Sequence, residues 1–120
     1  MIYTSYFANM KNIPSNVVPI AICGKAPDGY KGLQYKKLAP KLGFFLVWKD
    51  NHDNDYYTKR YKEEVIEQLD IREVLLDLHK MSGGKDMVLL CYEKAGDFCH
   101  RNIVRDWLKS NGILSEEFGG

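Results

Sequence analysis

The sequence predicts an α/β fold, a small and mainly parallel sheet covered by helices in a Rossmann-like plan, and three observations lead there. Val17 to Cys23 and Met87 to Cys91 are apolar almost throughout, the form of strands buried on both faces. Helical periodicity fills much of the chain between them, and an amphipathic segment follows the second. Strands alternating with helices favour parallel strands joined by helical crossovers. At 120 residues the chain has the size of a single domain with one core, spanning 1–120.

Taken in order, Ile2 to Phe7 mixes aromatic and β-branched residues before the polar turn material Asn9, Lys11, Asn12 and Pro14, so it reads as a strand that starts the sheet. Val17 to Cys23 stops at Gly24, and Pro19 suggests that its beginning lies free of pairing. Pro27, Gly29, Gly32, Pro40 and Gly43 then interrupt short helix-like pieces such as Leu33 to Ala39. Leu42 to Trp48 is a strand or a buried helix, since periodicity cannot separate the two in so short a run. From Asp53 the pattern sharpens: Asp55 can cap a helix with Tyr61, Val65, Ile66 and Leu69 on one side and Lys59, Lys62, Glu63 and Glu67 on the other. Ile71 to Met81 continues helically, with Val74, Leu75 and Leu78 on one stripe, until Gly83-Gly84. After the strand at Met87, Asp97 is expected to cap a last helix that buries Ile103, Val104, Trp107 and Leu108 and ends at Gly112.

Composition excludes several classes of function. With 45% hydrophobic and 28% charged residues there is no room for a long disordered tail. A formal net charge of +1 gives no global field to hold nucleic acid, so anion recognition must be local. The N-terminus lacks the basic and apolar regions of a signal peptide, and no apolar stretch approaches the roughly 20 residues of a membrane span. Cys23, Cys91 and Cys99 are an odd set without the dense spacing of a secreted disulfide scaffold, which points to a reducing, cytoplasmic setting and no membrane. Oligomeric state cannot be read from these features.

Ligands of open parallel sheets bind where strands end and helices begin, which points to Cys91 through Arg101. The first turn of a helix offers unpaired N–H groups and the positive end of its dipole to a phosphate or carboxylate, and Arg101 could add a bidentate contact. Its guanidinium there opposes the dipole and needs an anion or a carboxylate in compensation. Glu93 stands as general acid or base, as a partner of Arg101, or as a solvated loop residue. His100 is a second acid or base, and Cys99 is a nucleophile in a covalent mechanism or a member of the buried stripe. Cys91 reads as a small core residue. No metal is expected, because paired Cys-x-x-Cys knuckles are absent and adjacent Cys99 and His100 would leave a helix on different sides. No nucleotide fingerprint rich in glycine appears, and no cofactor is implied. Tyr3, Tyr6, Phe7, Tyr30, Tyr35, Trp48, Tyr56 and Tyr57 could give stacking surfaces for a base or could be core and rim.

The Cys-x-Glu spacing at Cys91 and Glu93 after an apolar strand, with Cys99-His100-Arg101 opening a helix, resembles domain-of-unknown-function family 488, also called YeaO-like. Tyr3-Thr4-Ser5-Tyr6-Phe7, the strand from Pro19 to Cys23, Leu38-Ala39-Pro40, and Tyr61 in a charged helix resemble that family's opening pattern, so the likeness covers nearly the whole chain. The resemblance implies a bacterial or phage protein of α/β fold with Glu93, Cys99, His100 and Arg101 as site residues, and it implies no particular reaction. Tyr3, Ser5 and Tyr6 join Arg101 as candidate ligand-binding residues. The functional expectation is a phosphate- or nucleotide-binding domain, or an enzyme acting on a nucleotide or nucleic acid, with Arg101 receiving the anion. The alternative is a non-catalytic binder, such as a phage protein that sequesters a host nucleotide signal or a host protein. In either case Glu93, Cys99, His100 and Arg101 should converge on one accessible pocket at the C-terminal end of the sheet.

Overall fold

The computed structural model describes residues 1–94 and 96–119. Among them, β1 (Ile2–Tyr6), β2 (Val18–Ala21), β3 (Leu33–Gln34), β4 (Met87–Cys91) and β5 (Ser115–Glu117) form one sheet in the order β3-β2-β4-β1-β5, every pairing parallel. The two apolar runs are direct neighbours, paired from Val18 opposite Met87 to Ala21 opposite Leu90. Val18 and Ile22 donate their N–H groups toward β4, so the nitrogen of Pro19, one residue on, faces the other edge. There β3 pairs only with Ile20 and Ala21, and the missing donor of Pro19 costs no ladder bond. Leu33 and Gln34, expected in a helix-like piece, are strand because β2 offers that edge, and a short 3-10 turn at Lys36–Leu38 follows.

Among the described residues four α-helices complete the fold: α1 (Leu42–Asn51), α2 (Asn54–Glu64), α3 (Ile71–Ser82) and α4 (His100–Ser110). The ambiguous Leu42 run is thus helical, though Phe44 is its one buried residue. Asp53, not Asp55, caps α2, its carboxylate accepting from the N–H of Tyr56 at 3.1 Å. Asp70 does the same for α3 through the N–H of Arg72 at 2.8 Å, and Gly83 ends that helix in the left-handed region at φ 66°, where a Cβ would be strained. The last helix begins two residues later than its expected cap: Cys99, extended at φ −154° and ψ 146°, is the N-cap residue in place of Asp97. Among the described residues no helix is long and apolar enough to cross a membrane.

Strand order and handedness decide which face each connection covers. The chain moves one way across the sheet from β1 to β2 to β3 and the opposite way from β3 to β4 to β5. Crossovers between parallel strands are right-handed, so the two directions send connections to opposite faces. All four helices accordingly pack on the face of Ile2, Ile20 and Leu89 through Phe44, Tyr57, Tyr61, Val74, Leu78, Val104 and Leu108. Val88 and Leu90, on the other face, pack with Tyr3 of β1 and with Phe7, Met10, Ile13, Val17 and Tyr30 from the early loops.

Two ion pairs to Glu117 tie α4 to β5. Arg101, fully buried, grips Glu117 with Nε to Oε1 at 3.1 Å and Nη2 to Oε2 at 2.9 Å. Glu117 also accepts from the Thr4 hydroxyl at 2.7 Å and lies 3.4 Å from Arg105 Nη1. The partners are unequal: truncating Arg101 leaves Glu117 with Thr4 and Arg105, whereas truncating Glu117 strands a buried cation. Glu117→Ala should therefore cost about 3–5 kcal/mol, and Arg105→Ala, at a partly exposed position, about 1 kcal/mol or less. Urea unfolding of the two variants measures this, and equal losses would show that the pair does not carry the stability assigned to it.

Candidate functional site

The connection leaving β2 and the one leaving β4 go to opposite faces, so a crevice opens between the C-terminal ends of these neighbouring strands, as at other topological switch points. The cleft found there has a volume of about 660 Å³, the size of a small-ligand site. Cys23, Gly24 and Lys25 line it from the end of β2, and Cys91, Tyr92 and Glu93 from the end of β4. Phe98, Cys99 and His100 contribute from the start of α4, while Pro40, Leu42, Phe45, Trp48, Lys49 and Tyr57 form the opposite wall from α1 and α2.

That wall is aromatic. Trp48, Tyr57 and Phe98 form a closed trio with ring centroids 5.1–5.7 Å apart, and Trp48 Nε1 donates to Asn54 Oδ1 at 2.8 Å, which orients the indole. Burial, and after it the Glu93 carboxylate, push the Tyr57 hydroxyl well up, so it stays protonated. Burial likewise pushes the Cys23 thiol up. Lys25 and Lys49 are exposed at the rim. Trp48 and Tyr57 are readable only as generic stacking candidates, Phe98 only as a member of the Cys91 to Arg101 segment, and Phe45, Lys25 and Lys49 carry no signal, because their convergence depends on how distant segments pack.

Of the residues expected at the site, Glu93, Cys99 and His100 line the cleft and Arg101 does not. Successive helical residues diverge by roughly 100°, and with His100 turned to the cleft Arg101 faces the β1 and β5 side. The carboxylate compensating it is Glu117, and its contact with Glu93 is to the backbone carbonyl through Nη1. Nη1 also donates to Cys91 Sγ at 3.1 Å, and the Tyr6 ring lies 5.6 Å below the guanidinium. Tyr3 packs edge-on against Phe118, and Ser5 is buried, accepting from Asn9 Nδ2 at 3.1 Å. Tyr3, Ser5 and Tyr6 lie outside the cleft lining.

Cys91 and Cys99 are joined as a disulfide. His100 is fixed between groups that define its chemistry. Nε2 lies 2.7 Å from the Ile22 carbonyl, which can only accept, so the N–H is on Nε2 and the Nδ1 lone pair faces Cys99 Sγ at 3.8 Å. Burial pulls the imidazole down to about 4, with the Arg101 guanidinium adding to the effect and the Ile22 carbonyl opposing it. Cys99 and His100 do not diverge as helical neighbours would, because Cys99 is an extended N-cap residue outside the helix. The ligand atoms of Cys91, Cys99 and His100 all lie within 4.8 Å of one another.

A sequence-family model described as the active DUF488-N3 subclade matches residues 8–112. No curated protein and no solved structure matches the chain.

The state of His100 sets a pH dependence. Unfolded, the imidazole takes a proton near its ordinary value of 6.5, whereas folded it refuses one until about 4. Its contribution is therefore complete above about pH 6.5 and is lost as pH falls toward 4, with roughly 3 kcal/mol at stake. Denaturant unfolding of the disulfide-bonded chain between pH 7 and pH 4.5 should show this slope, and His100→Gln should flatten it. Parallel curves for the two chains would mean the imidazole titrates normally.

Proposed function

The chain belongs to the DUF488 family, and from that premise we propose that it is a nucleotide-binding α/β domain whose cleft at the ends of β2 and β4 takes the ligand. The observation that carries this reading is the Trp48, Tyr57 and Phe98 wall facing a cleft with lysines on its rim. A base stacks on such a surface whatever its edge pattern, because every base has a π-face. Phosphate is left to Lys25, Lys49 and the start of α4, whose first turn has no side-chain cap. Arg101 has Nε, Nη1 and Nη2 engaged within the protein, and in this reading it positions the cleft floor without touching the anion.

If the ligand is turned over, Glu93 is the general acid or base and the neutral Nδ1 of His100 the second proton acceptor. Cys99 becomes a nucleophile only once its bond to Cys91 is opened. With that bond closed a covalent step through Cys99 is not open, which leaves acid–base turnover by Glu93 and His100 or the second reading, a binder that holds a nucleotide signal unchanged.

Thermal shift and tryptophan quenching with a panel of nucleoside mono- and diphosphates test the proposal. Trp48→Ala should weaken binding by about 1–3 kcal/mol, roughly 5- to 150-fold, and Lys49→Ala should weaken it most for the diphosphates. Chromatography of the incubated ligand separates the two readings: with turnover, Glu93→Gln loses rate and keeps affinity. A panel in which no member raises the melting temperature or quenches the fluorescence would sink the nucleotide assignment.

A further inference from the structure

Two sulfurs and an imidazole nitrogen meet where β4 gives way to α4, on a wall of the cleft. His100 and Cys91 are held from behind. The other ring nitrogen of His100 donates to the Ile22 carbonyl, the support that metal-bound histidines characteristically have. Arg101 Nη1 donates to Cys91 Sγ at 3.1 Å, and a cationic N–H donor favours a thiolate over a thiol. The Cα atoms of Cys91 and Cys99 stand 7.4 Å apart, beyond the roughly 4.4–6.8 Å that disulfides usually span. The backbone spacing is therefore wider than a direct sulfur–sulfur bond asks for and leaves room for an atom between the sulfurs.

We propose that in the reduced chain Cys91 Sγ, Cys99 Sγ and His100 Nδ1 bind one divalent zinc-like ion, with its fourth coordination position open to the cleft. Two thiolates and one imidazole form a donor set suited to a tetrahedral ion that keeps one exchangeable place. The charges balance, since two thiolates offset the ion and Glu117 already offsets Arg101. Opening the disulfide takes two electrons and two protons from a dithiol reductant, which is itself oxidised to a disulfide. Binding the ion then displaces the two thiol protons, so uptake releases acid. The site goes beyond nucleotide binding and stands whether or not the cleft takes a nucleotide, because its ligands are all side chains of this protein.

Cobalt(II) is the probe. The whole chain, reduced with a phosphine and freed of metal, is titrated anaerobically. Thiolate-to-cobalt charge transfer and the intense visible bands of four-coordinate cobalt should saturate at a single equivalent and disappear when zinc is added. Cys99→Ser and His100→Ala should each weaken cobalt binding roughly tenfold or more. Since either variant could lose its fold, the zinc X-ray absorption spectrum of the unmodified chain gives an independent reading, expected to show two sulfur neighbours and at least one nitrogen. A reduced chain without the charge-transfer band, a zinc shell of oxygen and nitrogen alone, or a folded Cys99→Ser chain that binds cobalt as tightly as the parent would each overturn the proposal. None of these outcomes involves a nucleotide, so the two readings fail separately.

Discussion

The buried pairing of Arg101 with Glu117 is the constraint around which the C-terminal third is arranged. A guanidinium in the first turn of a helix stands at the wrong end of the dipole and, fully buried, has no water to solvate it. It is tolerated because its environment is built from several elements at once: the Glu117 carboxylate from β5, the sulfur of Cys91 from the end of β4, the Glu93 carbonyl from the following loop, and the Tyr6 ring from β1. Each contact fixes a segment that would otherwise have weak reasons to stay. β5 is three residues long and polar, and its register against β1 serves to deliver Glu117 to the cation. The carbonyl of Glu93, once drawn toward Arg101, also decides where the rest of that residue can reach.

Charge is thereby divided between two levels. The interior cation is satisfied, whereas Lys25 and Lys49 at the rim are exposed to solvent. Between the levels lie groups kept uncharged by burial: the protonated Tyr57 hydroxyl, the Cys23 thiol and the neutral His100 ring. The cleft thus combines an aromatic wall with the Glu93 carboxylate and two lysines at its rim.

How far the sequence could be read depended on whether a feature was local or brought together at distance. Val17 to Cys23 and Met87 to Cys91 announced themselves by continuous apolarity, and their adjacency followed from parallel connection rules. Gly83 and the spacing of Val74 and Leu78 marked α3 as clearly. By contrast, Leu42 to Trp48 is apolar all round yet buries only Phe44 fully, so its pattern fits strand and helix equally. Ser115 to Glu117 has no strand propensity to speak of, and its partners Thr4, Arg101 and Arg105 come from two other elements. Glu93, Cys99 and His100 line the cleft at the strand ends, where the rule that ligands gather at strand ends directs attention. Arg101 is their neighbour along the chain but not in space, because the turn of a helix carries its side chain away from the cleft. The meeting of Cys91, Cys99 and His100 was missed because Cys99 was assumed to lie inside the helix.

The ends of the sheet carry a consequence of their own. β3 pairs through two residues and β5 through three, so neither border exposes a long row of unpaired backbone donors and acceptors. Another chain seeking to extend the sheet by adding a strand would find almost no template on either side, and beside β3 the nitrogen of Pro19 has no donor to offer it.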